Sequence, residues 1–141
     1  MSIFSLVYVS SATVPFSDDD LRVLLQQSRR DNASRGISGM LLFRGGNFMQ
    51  LLEGEEQPVR DLYADIATDT RHSGSLILLT AHEDQRMFAD WSMAFRNLND
   101  EEVRTLPGFS SFLNTEGNEK DPFSDPTRAQ KLLRYFKTSM R

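Results

Sequence analysis

Three side chains with directional hydrogen-bonding chemistry stand in apolar or helix-end surroundings: the phenol of Tyr8 and the primary amides of Asn32 and Gln50. An amide offers a donor and an acceptor side by side, and a phenol can act as either. Together they can read a planar heteroaromatic ligand whose edge carries carbonyl oxygens and ring nitrogens. Trp91 and Met93, two residues apart, and the run Asp69, Arg71 and His72 add aromatic, thioether and charged groups that such a ligand could use. Gln50 is the most informative of the set. It lies within ISGMLLFRGGNFMQLLEG, residues 37–54, between Met49 and Leu51. The pair Gly45 and Gly46 predicts a tight turn that sets Leu41 opposite Gln50 and Gly39 opposite Leu52. The amide then shares a face with Leu41, Phe43 and Phe48, where an unpartnered polar group is costly. Either the protein supplies its partners or a ligand does.

Each of these residues also has a purely structural reading. Tyr8 can be a core tyrosine with its hydroxyl at the surface, Asn32 a helix C-terminal asparagine, and Trp91 and Met93 ordinary core. His72 can cap or touch the surface, and Arg71 is a surface charge unless a phosphate lies nearby. Gln50 is the hardest to read this way. Other chemistries find less support. His72 and His82 lack compact metal-ligand spacing. Ser10 and Ser11 follow a strand without a glycine-rich nucleophile elbow. Gly36, Gly39, Gly45 and Gly46 match no phosphate-loop pattern.

The elements that must position this set follow from periodicity. Ile3 to Val9 reads as a first strand, apolar on both faces. Ser17 ahead of Asp18, Asp19 and Asp20 is a helix start, with Leu21, Leu24, Leu25 and Ser28 inward and Gly36 at or beyond its end. The hairpin follows. Pro58 suits the first turn of a second helix whose inner face is Val59, Leu62, Tyr63 and Ile66. Leu76 to Thr80 is a fourth strand and Trp91 to Phe95 a fifth. The order β-α-β-β-α-β with one extra strand is α+β and ferredoxin-like. Met40, Leu42, Met49 and Leu51 make the second sheet face apolar too, so both faces need cover. The two helices can cover only one. A C-terminal segment, a partner subunit or both must cover the other. Residues 100–112 are weakly helical, 114–126 read as a linker, and Pro126 to Met140 predicts an amphipathic helix with Ala129, Leu132, Leu133, Phe136 and Met140 inward.

Composition narrows the classes. At 141 residues, 39% of them apolar and 26% charged, the chain can form one domain with a substantial core. A net charge of −4 argues against a nucleic-acid partner. The absence of cysteine excludes disulfides and thiolate chemistry. MSIFSLVYVSS reads as a strand rather than a signal peptide, and no segment reaches membrane-spanning length, so the expected location is the cytoplasm, away from membranes. Arg128, Lys131, Arg134, Lys137 and Arg141 make the tail basic and leave the remainder acidic. A basic tail can pack on an acidic body, its own or a partner's, or be a solvated helix face.

Several separated stretches together resemble the BLUF domain, a blue-light sensor that binds flavin. They are LVYVSSA at 6–12, Arg30-Asp31-Asn32, GISGMLLFRGGNFMQLLEG at 36–54, DTRH at 69–72, and the R-x-F-x-x-WSMAF run at 86–95. The resemblance covers residues 1–98, expected as a flavin-binding domain, with 99–141 as a two-helix cap and linker. It implies FAD, with FMN possible. It implies that Tyr8 donates an electron and a proton to the excited flavin, with Gln50 between Tyr8 and the ring. Asn32 would hold the ring's polar edge, Ile37 and Ile66 would line it, and Asp69, Arg71 and His72 would lie toward its outer side, ribityl chain or phosphate. Trp91 and Met93 would relay the change through the last strand. The implied output is protein–protein interaction rather than catalysis, through a homo-oligomer or a downstream protein partner, since no output domain follows. The loop at Gly74-Ser75 and Glu83-Asp84-Gln85 is a candidate partner surface. The alternatives are a ferredoxin-like assembly module that is not photoactive, and a small flavin- or haem-using enzyme. A colourless purified protein would favour the first, and turnover in the dark the second.

Overall fold

The computed structural model of the chain describes residues 2–44, 46–88, 94–97, 130, 131 and 133. Its elements are β1 (Ile3–Ala12), α1 (Asp18–Ser34), β2 (Ser38–Arg44), β3 (Asn47–Gly54), α2 (Glu56–Ala67), β4 (His72–Glu83) and β5 (Ala94–Asn97). They form one five-stranded sheet in the order β4-β1-β3-β2-β5. The first four strands make the ferredoxin-like βαββαβ arrangement, and β5 adds to it in parallel alongside β2. The fourth strand is longer than its apolar stretch suggests. It begins at His72, so Gly74 and Ser75 lie within it rather than in a loop, with Gly74 at φ 62°.

Local chemistry sets the elements. Ser17 caps α1 through a reciprocal pair of bonds: its hydroxyl accepts from the Asp20 amide at 3.1 Å, and the Ser17 amide donates to the Asp20 carboxylate at 2.9 Å. The Ser17 amide, and then the Ser17 side chain, hold the Asp20 carboxyl below its usual range by hydrogen bonding. Beyond α1, the Asn32 carbonyl accepts from both the Arg35 amide, at 3.1 Å, and the Ile37 amide, at 2.8 Å. Gly36, at φ 68°, then turns the chain into β2. The hairpin register is the expected one, with Leu41 opposite Gln50 and Gly39 opposite Leu52.

The sheet's first face packs under both helices. Leu21, Leu24 and Leu25 of α1, and Val59 and Leu62 of α2, join Phe4, Leu6, Tyr8, Leu41, Phe43, Phe48 and Leu52 in one core. Tyr63 and Ile66 pack against it, half-buried. On the second face Met40, Leu42, Met49 and Leu51 are buried within this chain alone, none more than 3% exposed. Two residues from beyond β4, Phe88 and Leu133, are also buried. Gln130, Lys131 and Leu133 are helical, in line with the expected terminal helix. The rest of that helix, the weak helix at 100–112 and the linker at 114–126 lie outside the described residues, as do Trp91 and Met93.

Candidate functional site

Tyr8 and Gln50 are direct cross-strand partners at the middle of the β1–β3 ladder. Alternation places both on the helix-bearing face, where they are 1% and 4% exposed. The Tyr8 hydroxyl donates to Gln50 Oε1. Burial pushes the Tyr8 hydroxyl pKa well above the ordinary phenol value, and the nearby Tyr63 and Asp69 push it further. The phenol therefore remains a neutral donor throughout the physiological range. The Tyr63 ring meets the Tyr8 ring edge-on, with centroids 5.3 Å apart. It is anchored in turn by a 2.7 Å hydroxyl–hydroxyl contact with Ser75.

This pair lies in the floor of a cleft between α1 and α2. Leu24, Gln27, Ser28, Asp31, Asn32 and Arg35 line it from the first helix and its end. Leu62, Asp65 and Ile66 line it from the second, with Asp69 and Arg71 at the mouth and Leu41 in the floor. Its volume is ≈ 130 Å³, about ten times what one water requires, so the cleft is sized for a molecule rather than a bridging water. Asn32 is 1% exposed although it lies in the last turn of α1, and it lines the cleft.

The mouth is organised around Arg71. Its guanidinium makes a forked contact with the Asp69 carboxylate, closest at 2.6 Å, and donates to Gln27 at 3.1 Å. The Asp69 bond raises the Arg71 pKa further. Asp31, Asp65 and Asp69 stand there against Arg35 and Arg71, and Arg35 itself contacts Asp65 at 2.9 Å. The mouth is therefore near charge balance rather than a cationic phosphate cradle. Recognition rests on the interior: two buried primary amides and a phenol, with the aliphatic walls Leu24, Leu41, Leu62 and Ile66. That donor set fits the polar edge and apolar faces of a planar heteroaromatic ring.

Of the residues singled out from sequence, Tyr8, Asn32, Gln50, Ile66, Asp69 and Arg71 converge on this cleft. Ile37 is buried in the same core, outside the residues that line the cleft. The His72 backbone opens β4, next to Arg71. Sequence reasoning passed over Gln27, Asp31, Arg35 and Asp65 as lining residues. The signal existed: Leu24, Ser28, Asp31 and Arg35 continue the inner stripe of α1 at steps of four, three and four. Leu62, Asp65, Ile66 and Asp69 do the same along α2 and just past its end.

A ferredoxin-like sheet with a buried phenol–amide pair at the floor of an interhelical cleft marks a ligand-binding domain. Comparison with known proteins identifies which one. The family model described as "BLUF: Sensors of blue-light using FAD" matches residues 3–94, and the chain belongs to this family. The photoactivated adenylate cyclase subunit beta of Euglena longa is 33% identical over 110 residues, which is 77% of this chain and 13% of that protein. The chain thus spans only a small part of the curated relatives it matches. Among solved structures, BlrB, a BLUF protein in its dark state, superposes with a TM-score of 0.79 at 28% identity, covering 98% of this chain and 97% of that one. BlsA in its photo-activated state gives 0.80 at 27% identity, covering 96% and 94%. The protein is a flavin-binding blue-light sensor, a sensory rather than a catalytic module. It signals through rearrangement of the Tyr8–Gln50 hydrogen bond. Among the described residues no helix is long and apolar enough to cross a membrane.

Proposed function

We infer that the cleft between α1 and α2 is the flavin site, with the Asn32 and Gln50 amides on the polar edge of the ring. Ile66 lies along a ring face and Ile37 supports the site from the core behind it. Asp69 and Arg71, with His72 beside them, stand toward the outer part of the cofactor. When bound, flavin supplies blue-light absorption and an excited state able to accept an electron and a proton. The chain's own residues do the rest. Tyr8 is neutral, shielded from water and already hydrogen-bonded to Gln50 Oε1, so its proton has a defined acceptor. Gln50 is the switch: the two ends of its amide differ in hydrogen-bonding sense and hardly in shape. Exchanging them changes which neighbours are satisfied, at about 1 kcal/mol or more per bond. The result is a population shift between two bonded states.

The single observation that carries this reading is the Tyr8–Gln50 bond at the floor of the cleft. Trp91 and Met93 are read as the relay from the site into β5. Residues 1–98 are read as the sensor and 99–141 as its cap. FAD is the expected cofactor, as the family description names it, with FMN as the alternative. Output runs through a homo-oligomer or a separate protein partner, with neither nucleic acid nor membrane involved and a cytoplasmic setting. The test is an absorption spectrum of the purified protein before and after blue light, followed by denaturation and identification of the released cofactor. A reversible red shift with release of FAD is expected. A colourless protein, or a flavin spectrum indifferent to light, would overturn the reading in favour of an assembly module.

A further inference from the structure

Glu53 is a carboxylate-bearing residue only 3% exposed, and it lies on the face of β3 opposite Gln50. It is fully engaged. One oxygen accepts the Met87 amide at 2.5 Å; the other accepts the Phe88 amide at 3.0 Å and the Ser38 hydroxyl at 3.3 Å. Arg86 completes the cluster. It donates to Ser38 Oγ at 3.0 Å, to the Glu53 carbonyl at 3.1 Å and to the Gly36 carbonyl at 2.7 Å. Five hydrogen bonds thus bind residues 86–88 to the ends of β2 and β3 and to the turn after α1, and the Ser38–Glu53 bond ties those strand ends together. That turn also contains Ile37, whose amide is held by the Asn32 carbonyl at the edge of the cleft.

The location gives the cluster a purpose beyond folding. Only five residues separate Phe88 from β5, which pairs with β2. Across the sheet, Tyr8 faces Gln50, Gln50 faces Leu41, and Leu41 faces Phe95 of β5, so the switch and β5 share one transverse row. A shift carried along that row can move β5 in a defined way only if the chain leading into β5 is fixed at its other end. Two backbone amides bonded to one buried carboxyl group provide that fixed point.

We propose that Glu53 and Arg86 are positioning residues for signal transmission, a clamp that fixes residues 86–88 so that rearrangement at Gln50 is delivered to β5 rather than lost in the connecting segment. The proposal rests on the sensor reading above, and its test separates the two. The test uses Glu53→Gln, with Arg86→Lys and Ser38→Ala as milder variants that retain the carboxyl group. Amide hydrogen exchange is followed in the flavin-loaded full chain, in the dark and under blue light.

In the dark, Glu53→Gln is expected to speed exchange at Met87 and Phe88 about tenfold or more, leaving Val7 and Leu51 in the sheet centre unchanged. The milder variants should give smaller increases at the same two amides. Unchanged rates at Met87 and Phe88 in the folded variants would overturn the clamp, whatever the protein's response to light. Under illumination the wild type should change exchange across residues 94–97. The Glu53→Gln protein should keep its light-induced absorbance shift while losing most of that change. If Glu53→Gln does not fold, Arg86→Lys and Ser38→Ala carry the same comparison. A full light response at 94–97 in variants whose 86–88 amides are freed would overturn the transmission role. A wild type whose spectrum shifts without any change at 94–97 would do the same. A wild type without the spectral shift would overturn the sensor reading itself.

Discussion

The Tyr8–Gln50 bond can be weighed by a double-mutant cycle. Tyr8→Phe removes only the hydroxyl. The ring keeps its place in the core against Tyr63, but Gln50 Oε1 loses its donor at a position 4% exposed. A buried acceptor left without that partner costs about 1–3 kcal/mol. Gln50→Leu removes the acceptor and strands the phenol hydroxyl, at a similar cost of about 1–3 kcal/mol. The double variant places apolar groups on both sides of the contact, and such a replacement is close to neutral. The three variants together should therefore show a coupling energy of about 2 kcal/mol or more, with the double variant more stable than the sum of the singles requires. Urea unfolding in the dark at fixed flavin concentration measures it, provided the slope against denaturant is unchanged. Strict additivity would show that hydroxyl and amide do not act on each other in solution. The account of a preformed switch would then fail, even if each single variant were destabilised.

Two further predictions concern the scaffold that holds the site. A Cβ on Gly39 would fall 1.9 Å from the Leu51 carbonyl oxygen in the neighbouring strand. Gly39→Ala must therefore push the hairpin apart, and should cost about 3 kcal/mol or more and lower flavin retention, read by thermal unfolding and bound absorbance. Ser17→Ala should cost about 1 kcal/mol, since it removes one half of the α1 capping box. The other half carries a pH signature. The Asp20 pKa is lowered in the folded state, so its contribution is present above the unfolded carboxylate pKa and disappears as pH falls through the folded one. The stability difference between wild type and Asp20→Asn should accordingly shrink on acidification and stay level from pH 6 to 8. A difference that grew on acidification would contradict the capping role.

The parts of this molecule that obey a strong local rule were legible in its residues. Paired glycines between two apolar runs specified the hairpin and its register, and with it the face on which Gln50 lies. Ser17 with three following aspartates specified the start of α1. The length of β4 was not legible, because its outer portions are polar and exposed and are held by pairing with β1 rather than by an alternating apolar pattern. The mouth of the cleft was hidden for a different reason. Asp31, Arg35 and Asp65 look like solvated helix residues until two helices from distant parts of the chain are set side by side. Glu53 was hidden too. Nothing in LLEG says that its carboxyl group will be capped by amides more than thirty residues away. The R-x-F spacing at 86–88 joined a resemblance whose physical content appears only in the folded sheet.

The measurement that bears most directly on the central claim is the light-minus-dark absorbance spectrum of the Tyr8→Phe protein with flavin bound. In the proposed mechanism the phenol gives up an electron and a proton, the proton passing through the Gln50 amide, so the variant should retain its flavin and show no reversible red shift under blue light, while the wild type shows the full shift and recovers in the dark. A Tyr8→Phe protein with the complete, reversible shift would contradict the account.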